Sequence, residues 1–176
     1  LVDLLRDAGA PEEARMLAIR LLMERGSLLP LPLYVSWQVD RAECDALADF
    51  ALEGLEGMGE EAVPLMLEAL EDANEPGREA LLGILSHYPQ YPQVFSSLVR
   101  LFDACPERQA MLAAFLGRLG DARALPLLVE RAREEDLQYL DYIELRSAIE
   151  ALGGDAPERD FGEDPAYEAL RRLTEP

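Results

Sequence analysis

The stretch Leu116-Gly117-Arg118-Leu119-Gly120-Asp121-Ala122-Arg123-Ala124-Leu125-Pro126-Leu127-Leu128 decides how the chain folds. Around its start, Leu112, Phe115, Leu116 and Leu119 fall at i, i+3, i+4 and i+7, one apolar stripe on a helix. Gly120 supplies the left-handed residue that ends such a helix. Asp121 can accept hydrogen bonds from the free amides that open the next helix, whose stripe is Leu125, Leu128, Val129 and Ala132. Pro126 sits near that helix's first turn, where a missing backbone donor costs least. The whole reads as a helical hairpin with a tight turn.

The same hairpin recurs at a spacing of about 31 residues. Going back, Leu81, Ile84, Leu85 and Tyr88 form the first stripe, Pro89 stands where Gly120 stood, and Val94, Leu98 and Leu101 form the second, interrupted by Ser97. Further back come Ala51, Leu55 and Met58, the cap Gly59, and Val63, Met66, Leu67 and Leu70, with Pro64 placed as Pro126 is. Going forward, Leu145, Ala148, Ile149 and Leu152 precede the cap Gly153, after a loop two residues longer. One hairpin cannot bury both of its stripes alone, so such units stack, each against its neighbours.

The runs Leu116 to Leu128 and Met58-Gly-Glu-Glu-Ala-Val-Pro-Leu65 resemble HEAT repeats, and among them the short bacterial kind named after phycobilisome lyases. The resemblance covers roughly residues 40 to 153. It implies an all-α fold, an α-α superhelix or HEAT-like solenoid of about four helical hairpins with atypical capping helices at both ends. The expected organisation is a single domain over residues 1–176: N-terminal cap helices and an apolar loop (1–39), repeats (40–153), and a C-terminal capping helix (154–176). The family holds scaffolds, lyase subunits and DNA-repair enzymes, so the resemblance implies a fold more sharply than a function.

Charge narrows the partners. Against 35 acidic residues stand 16 bases, all arginine, for a net charge of −19. Nucleic-acid backbones and anionic membranes both call for a cationic surface, so neither is an expected partner. Acidity of this kind either attracts a basic partner or simply keeps a charged surface soluble. Arginine without lysine, with abundant alanine and leucine, resembles the coding bias of a GC-rich bacterial genome. Apolar runs fall short of a membrane span, and no charged-then-apolar leader opens the chain. Cys44 and Cys105 are far apart and have no metal-ligand neighbours, which fits a reduced, cytoplasmic pair.

Outside the repeats, residues 1 to 8 read as a helix end closed by Gly9, and Pro11 opens a helix whose stripe is Ala14, Leu17, Ala18 and Leu21, closed by Gly26. Ser27 to Trp37 is apolar and broken by Pro30 and Pro32: either a loop over the end of the core or an exposed patch carrying Tyr34 and Trp37. Asp40 caps the next helix. Asn74 to Gly77 reads as a turn, His87 as a surface or helix-end residue, and Tyr88 to Pro92 as a bulkier turn. Acids interleave with Tyr139 and Tyr142, which either grip an arginine-rich surface or pack inward behind a cap at Asp136 or Asp141. Asp155, Glu158, Asp160, Glu163 and Asp164 lack the alternation and central glycine of a calcium loop. Asp164-Pro165 then opens a last helix with Tyr167, Leu170 and Leu173 expected inward.

In stacked hairpins the second helices line the concave side, so their outward faces are the expected binding surface. Those positions hold Glu61, Leu65, Glu68 and Asp72 in one repeat, Pro92, Ser96, Val99 and Asp103 in the next, and Arg123, Leu127, Glu130 and Glu134 in the third. The expectation is a non-catalytic scaffold or adaptor that binds a basic protein segment on an acidic concave face with an apolar streak. No nucleophile–base pair, phosphate loop or metal cluster is visible, so no catalytic residue, cofactor or metal is expected. Two alternatives stand beside it. One is a chromophore-lyase-like subunit, implied by the resemblance, as is base excision by the HEAT-like DNA glycosylases, which the charge opposes. The other is an acidic inhibitor or immunity protein masking a basic enzyme.

Overall fold

The computed structural model describes residues 1–7, 9–25, 46–73 and 75–174. Within them the chain is all-helical: ten α-helices, three short 3-10 turns and no strand. The expectations for Ser27 to Trp37, Asp40 and Cys44 lie outside the described residues. The chain divides into two compact units, residues 1–85 and 86–176, a boundary that falls inside the stretch read as repeats.

The first unit holds α1 (Val2–Arg6), α2 (Glu12–Glu24), α3 (Ala46–Gly57), α4 (Val63–Asp72) and α5 (Glu75–Leu85). α2 packs on α1 and α3, and α5 packs on α3 and α4. Leu5, Ile19, Met66, Leu81, Leu82 and Leu85 are fully buried. Burying one such side chain stabilises by roughly 1.5–3 kcal/mol, which is what holds short helices in place. The stripe expected on α2 is turned by about one residue: Ala18, Ile19 and Leu22 are buried, whereas Leu17 is 47% exposed. Lying between two neighbours, α2 buries the face that serves both. Of the turn expected from Asn74 to Gly77, residues 75–77 belong instead to α5, which begins at Glu75 and takes Pro76 into its first turn, and Asn74 lies outside the described residues.

The second unit holds α6 (Pro92–Ala104), α7 (Gln109–Leu119), α8 (Leu125–Ala132), α9 (Tyr139–Ala151) and α10 (Pro165–Thr174). α7 packs against α6 on one side and most extensively against α9 on the other, while α8 and α10 also rest on α9. Leu112, Leu116, Leu145 and Ile149, the stripe residues of α7 and α9, are fully buried between them. Gly117 lets these helices approach: a Cβ there would lie 3.0 Å from the Cα of Ala148.

Three glycines have positive φ among the described residues, and all three are the expected caps: Gly59 at 69°, Gly120 at 75° and Gly153 at 78°. Gly120 donates its N–H to the Leu116 carbonyl at 3.2 Å, and the Asp121 carboxylate accepts the Arg123 N–H at 3.0 Å. Short 3-10 turns, Glu60–Ala62 and Ala122–Ala124, then lead into α4 and α8.

The helices α4, α6 and α8 depart from a uniform 31-residue register. The buried positions that correspond are Ala62, Met66 and Leu70 on the first of these helices, Val94, Leu98 and Phe102 on α6, and Ala124, Leu128 and Ala132 on the third. These are spaced 32 residues and then 30. The stretch Pro89 to Tyr91 carries one residue more than Gly120 with Asp121, and the α6–α7 connection gives it back. Val94, Leu98 and Leu101 are buried as expected, and Phe102 is buried beside them.

A side chain from later in the chain caps the C-terminal end of each of these three helices. Arg78 donates to the Leu70 and Ala73 carbonyls at 3.4 and 3.2 Å, and Gln109 donates to the Phe102 carbonyl at 2.9 Å. Arg159 donates to the Ala132 carbonyl at 3.4 Å. The three acceptors that recur, Leu70, Phe102 and Ala132, are the same positions that the burial pattern equates. Helix-end carbonyls have no partner within the helix, and a donor from outside satisfies them.

Candidate partner-binding faces

In the first unit, Glu61 leads into α4 and Leu65 and Glu68 follow one and two turns on, so the three form a ridge. Both carboxylates are exposed and Leu65 is 38% exposed between them. Asp72, the last residue of α4, continues the ridge by position. A large apolar side chain flanked by exposed carboxylates can take an amphipathic cationic segment, the leucine supplying contact area and the acids orientation.

In the second unit, Ser96, Val99 and Asp103 lie on α6. Ser96 and Asp103 are exposed, Val99 is half-buried, and the Ser96 hydroxyl donates back to the Pro92 carbonyl at 3.3 Å. Leu127 and Glu130 belong to α8, with Arg123 in the turn before it and Glu134 just after. Leu127 is half-buried and the other three are exposed.

Arg123 joins these two helices. Its guanidinium carbon lies 4.3 Å from the centroid of the Phe95 ring on α6, and its Nε and Nη2 engage the Asp121 carboxylate at 2.5 to 3.0 Å. The Arg123 side chain beside Asp121 holds that carboxyl below its ordinary range. Glu134 is engaged as well: Arg131, whose side chain is only 13% exposed, binds Glu134 at 2.5 Å and Asp136 at 2.8 Å. That contact holds the Asp136 carboxyl low. Neither Arg123 nor Glu134 therefore stands as an isolated charge, while Asp103 and Glu130 extend the acidic surface around them.

Compared with known protein families, curated proteins and solved structures, the chain finds no match. Among the described residues no group of three or more His, Cys, Asp or Glu is placed to hold a metal, and no helix is long and apolar enough to cross a membrane.

Sequence reading missed Phe95, Asp121 and Arg131 as parts of these faces. The Asp-x-Arg spacing at 121 and 123 was visible, but the ring that Arg123 covers is 28 residues away and on another helix. Tyr139 and Tyr142 are not free to grip a partner's surface. They pack with Phe161 at 5.3 and 4.9 Å between centroids, and Tyr139 also meets Tyr167 at 5.0 Å. The cap of α9 is neither Asp136 nor Asp141: the Tyr139 N–H donates to Asp164 at 2.9 Å. His87 is exposed, with its Nε2 3.5 Å from an Arg118 guanidinium nitrogen.

Proposed function

We propose that the chain is a non-catalytic interaction scaffold, a HEAT-like superhelix of stacked hairpins with atypical ends, that binds a basic segment of a protein partner. The observation that carries this reading is the exposed ridge Glu61, Leu65 and Glu68 on a chain of net charge −19. The recurring glycine caps and the repeated capping of Leu70, Phe102 and Ala132 support the repeat architecture. The acidic surfaces of α6 and α8, with Asp103, Leu127 and Glu130, add a second area of the same character. The charge equally favours a particular kind of scaffold, an acidic inhibitor that masks a basic enzyme. A cytoplasmic setting with reduced cysteines belongs to the same proposal.

The test is a pull-down with the products of neighbouring genes at low and high salt. A basic partner retained at low salt and released at high salt supports the reading. Binding of duplex DNA or of a bilin would replace it.

A further inference from the structure

Between α9 and α10 the chain runs without regular secondary structure from Gly154 to Phe161, yet it is held closely. The Tyr142 hydroxyl donates to the Pro157 carbonyl at 2.7 Å. The Arg159 guanidinium donates to the carbonyls of Ala132 and Glu135 at 3.4 Å each, and to that of Glu134. It also lies 5.1 Å from the centroid of the Phe161 ring. Phe161, 7% exposed, inserts against Tyr139 and Tyr142. One backbone carbonyl, one arginine and one aromatic ring two residues later make these contacts, the pattern of a peptide seated on a receptor surface.

The receiving surface suits that chemistry. Carbonyls at and just beyond the end of α8 form the negative pole of the helix, and they fan out towards a planar cation with several donors. A lysine offers its three donors from a single nitrogen and lacks the planar fork whose two terminal nitrogens divide these carbonyls between them. Helix α10 is held through Tyr167 against Tyr139, while its Leu170 and Leu173 are 47% and 83% exposed rather than inward. Attachment runs through Pro157, Arg159, Phe161, Asp164 and Tyr167, and Gly153 with Gly154 stands at the base of the strap. An irregular segment leading to one short helix can open locally at less cost than the whole fold.

We propose that this surface is a docking site for an extended segment of another protein carrying an arginine two residues ahead of an aromatic residue, and that residues 155–164 occupy it in cis as a built-in competitor. The strap's tethering gives it a high effective concentration, on the order of millimolar. A partner therefore needs either greater affinity or a released strap. This site is distinct from the ridge on α4 and stands or falls separately.

The probe is a fluorescent peptide of residues 155–164, Asp-Ala-Pro-Glu-Arg-Asp-Phe-Gly-Glu-Asp, titrated into the full chain. The double variant Arg159→Ala/Phe161→Ala is expected to bind it at least about tenfold more tightly than the wild-type chain, as removal of a tethered competitor requires. A peptide with lysine in place of arginine should lose at least about tenfold of that gain. Hydrogen exchange on the wild-type chain should show amides of the strap and α10 opening before those of α7 and α9. The proposal is overturned if a folded double variant binds the peptide no better than wild type, or binds the lysine peptide equally. Global melting of the double variant, or exchange of the strap only with the whole core, also overturns it, since the strap would then be part of the core.

Discussion

One carboxylate, that of Asp164, accepts the backbone N–H of Tyr139 at 2.9 Å through one oxygen, while the other accepts those of Ala166 and Tyr167 at 2.8 and 3.2 Å. The N-termini of α9 and α10 share a single anion, the charge that both helix dipoles favour. Asp164→Ala should therefore loosen two helices at once. The expected readout is faster hydrogen exchange at the first turn of α9 and throughout α10, with a melting temperature a few degrees lower.

The same carboxylate gives a pH dependence of known sign. The backbone hydrogen bond from Tyr139, with those from Tyr167 and Ala166, holds the Asp164 carboxyl below its ordinary value. A group depressed in the folded state contributes stability above its unfolded pKa and loses it as pH falls through the folded one. The difference in melting temperature between wild type and Asp164→Asn should be full near neutral pH and shrink below about pH 4. A difference that grows on acidification would contradict the assignment.

Close packing of α7 on α9 makes Gly117 intolerant of a side chain. A Cβ there meets the Ala148 backbone at 3.0 Å and its Cβ at 3.1 Å, so Gly117→Leu should cost about 2 kcal/mol or more in urea unfolding. Gly57, at the end of α3, has open space on that side, with nothing within 4 Å of where a Cβ would stand. Gly57→Ala should be neutral or stabilising by up to about 1 kcal/mol.

The donors that cap the second helices act across the chain rather than along it. Gln109→Ala leaves the carbonyl of Phe102, a residue only 1% exposed, without the 2.9 Å bond it now receives. Loss of about 1 kcal/mol is expected. Arg78→Met, which keeps the length of the side chain, should cost a similar amount through the Leu70 and Ala73 carbonyls.

Much of this fold is written locally. Helix stripes such as Leu112, Leu116 and Leu119 need only the spacing of apolar residues, and Gly59, Gly120 and Gly153 were readable as caps because an L side chain resists positive φ. The stripe of α6, Val94, Leu98 and Leu101, was readable, but its offset from a uniform 31-residue spacing was not. A turn one residue longer is offset by a connection one residue shorter, so the period averages to its expected value and the buried Phe102 is found one place beyond the expected Leu101. The C-terminal strap was hidden for another reason: Arg159 finds its carbonyls 24 to 27 residues earlier, and no local pattern marks such a contact. Leu170 and Leu173 showed the amphipathic spacing of buried residues, yet spacing states which side is apolar and not what covers it. On the binding faces the exposure of Glu61, Glu68 and Glu130 was legible, whereas the cover of Phe95 by Arg123 joins two helices 28 residues apart and leaves no local pattern.

The most direct measurement of the central claim compares wild type with Glu68→Arg/Glu130→Arg in the affinity for the basic partner retained in the pull-down, titrated at low and at near-physiological salt. Binding through the acidic faces predicts that the double reversal weakens affinity by about tenfold or more and flattens its dependence on salt. Unchanged affinity with an unchanged salt slope would contradict it.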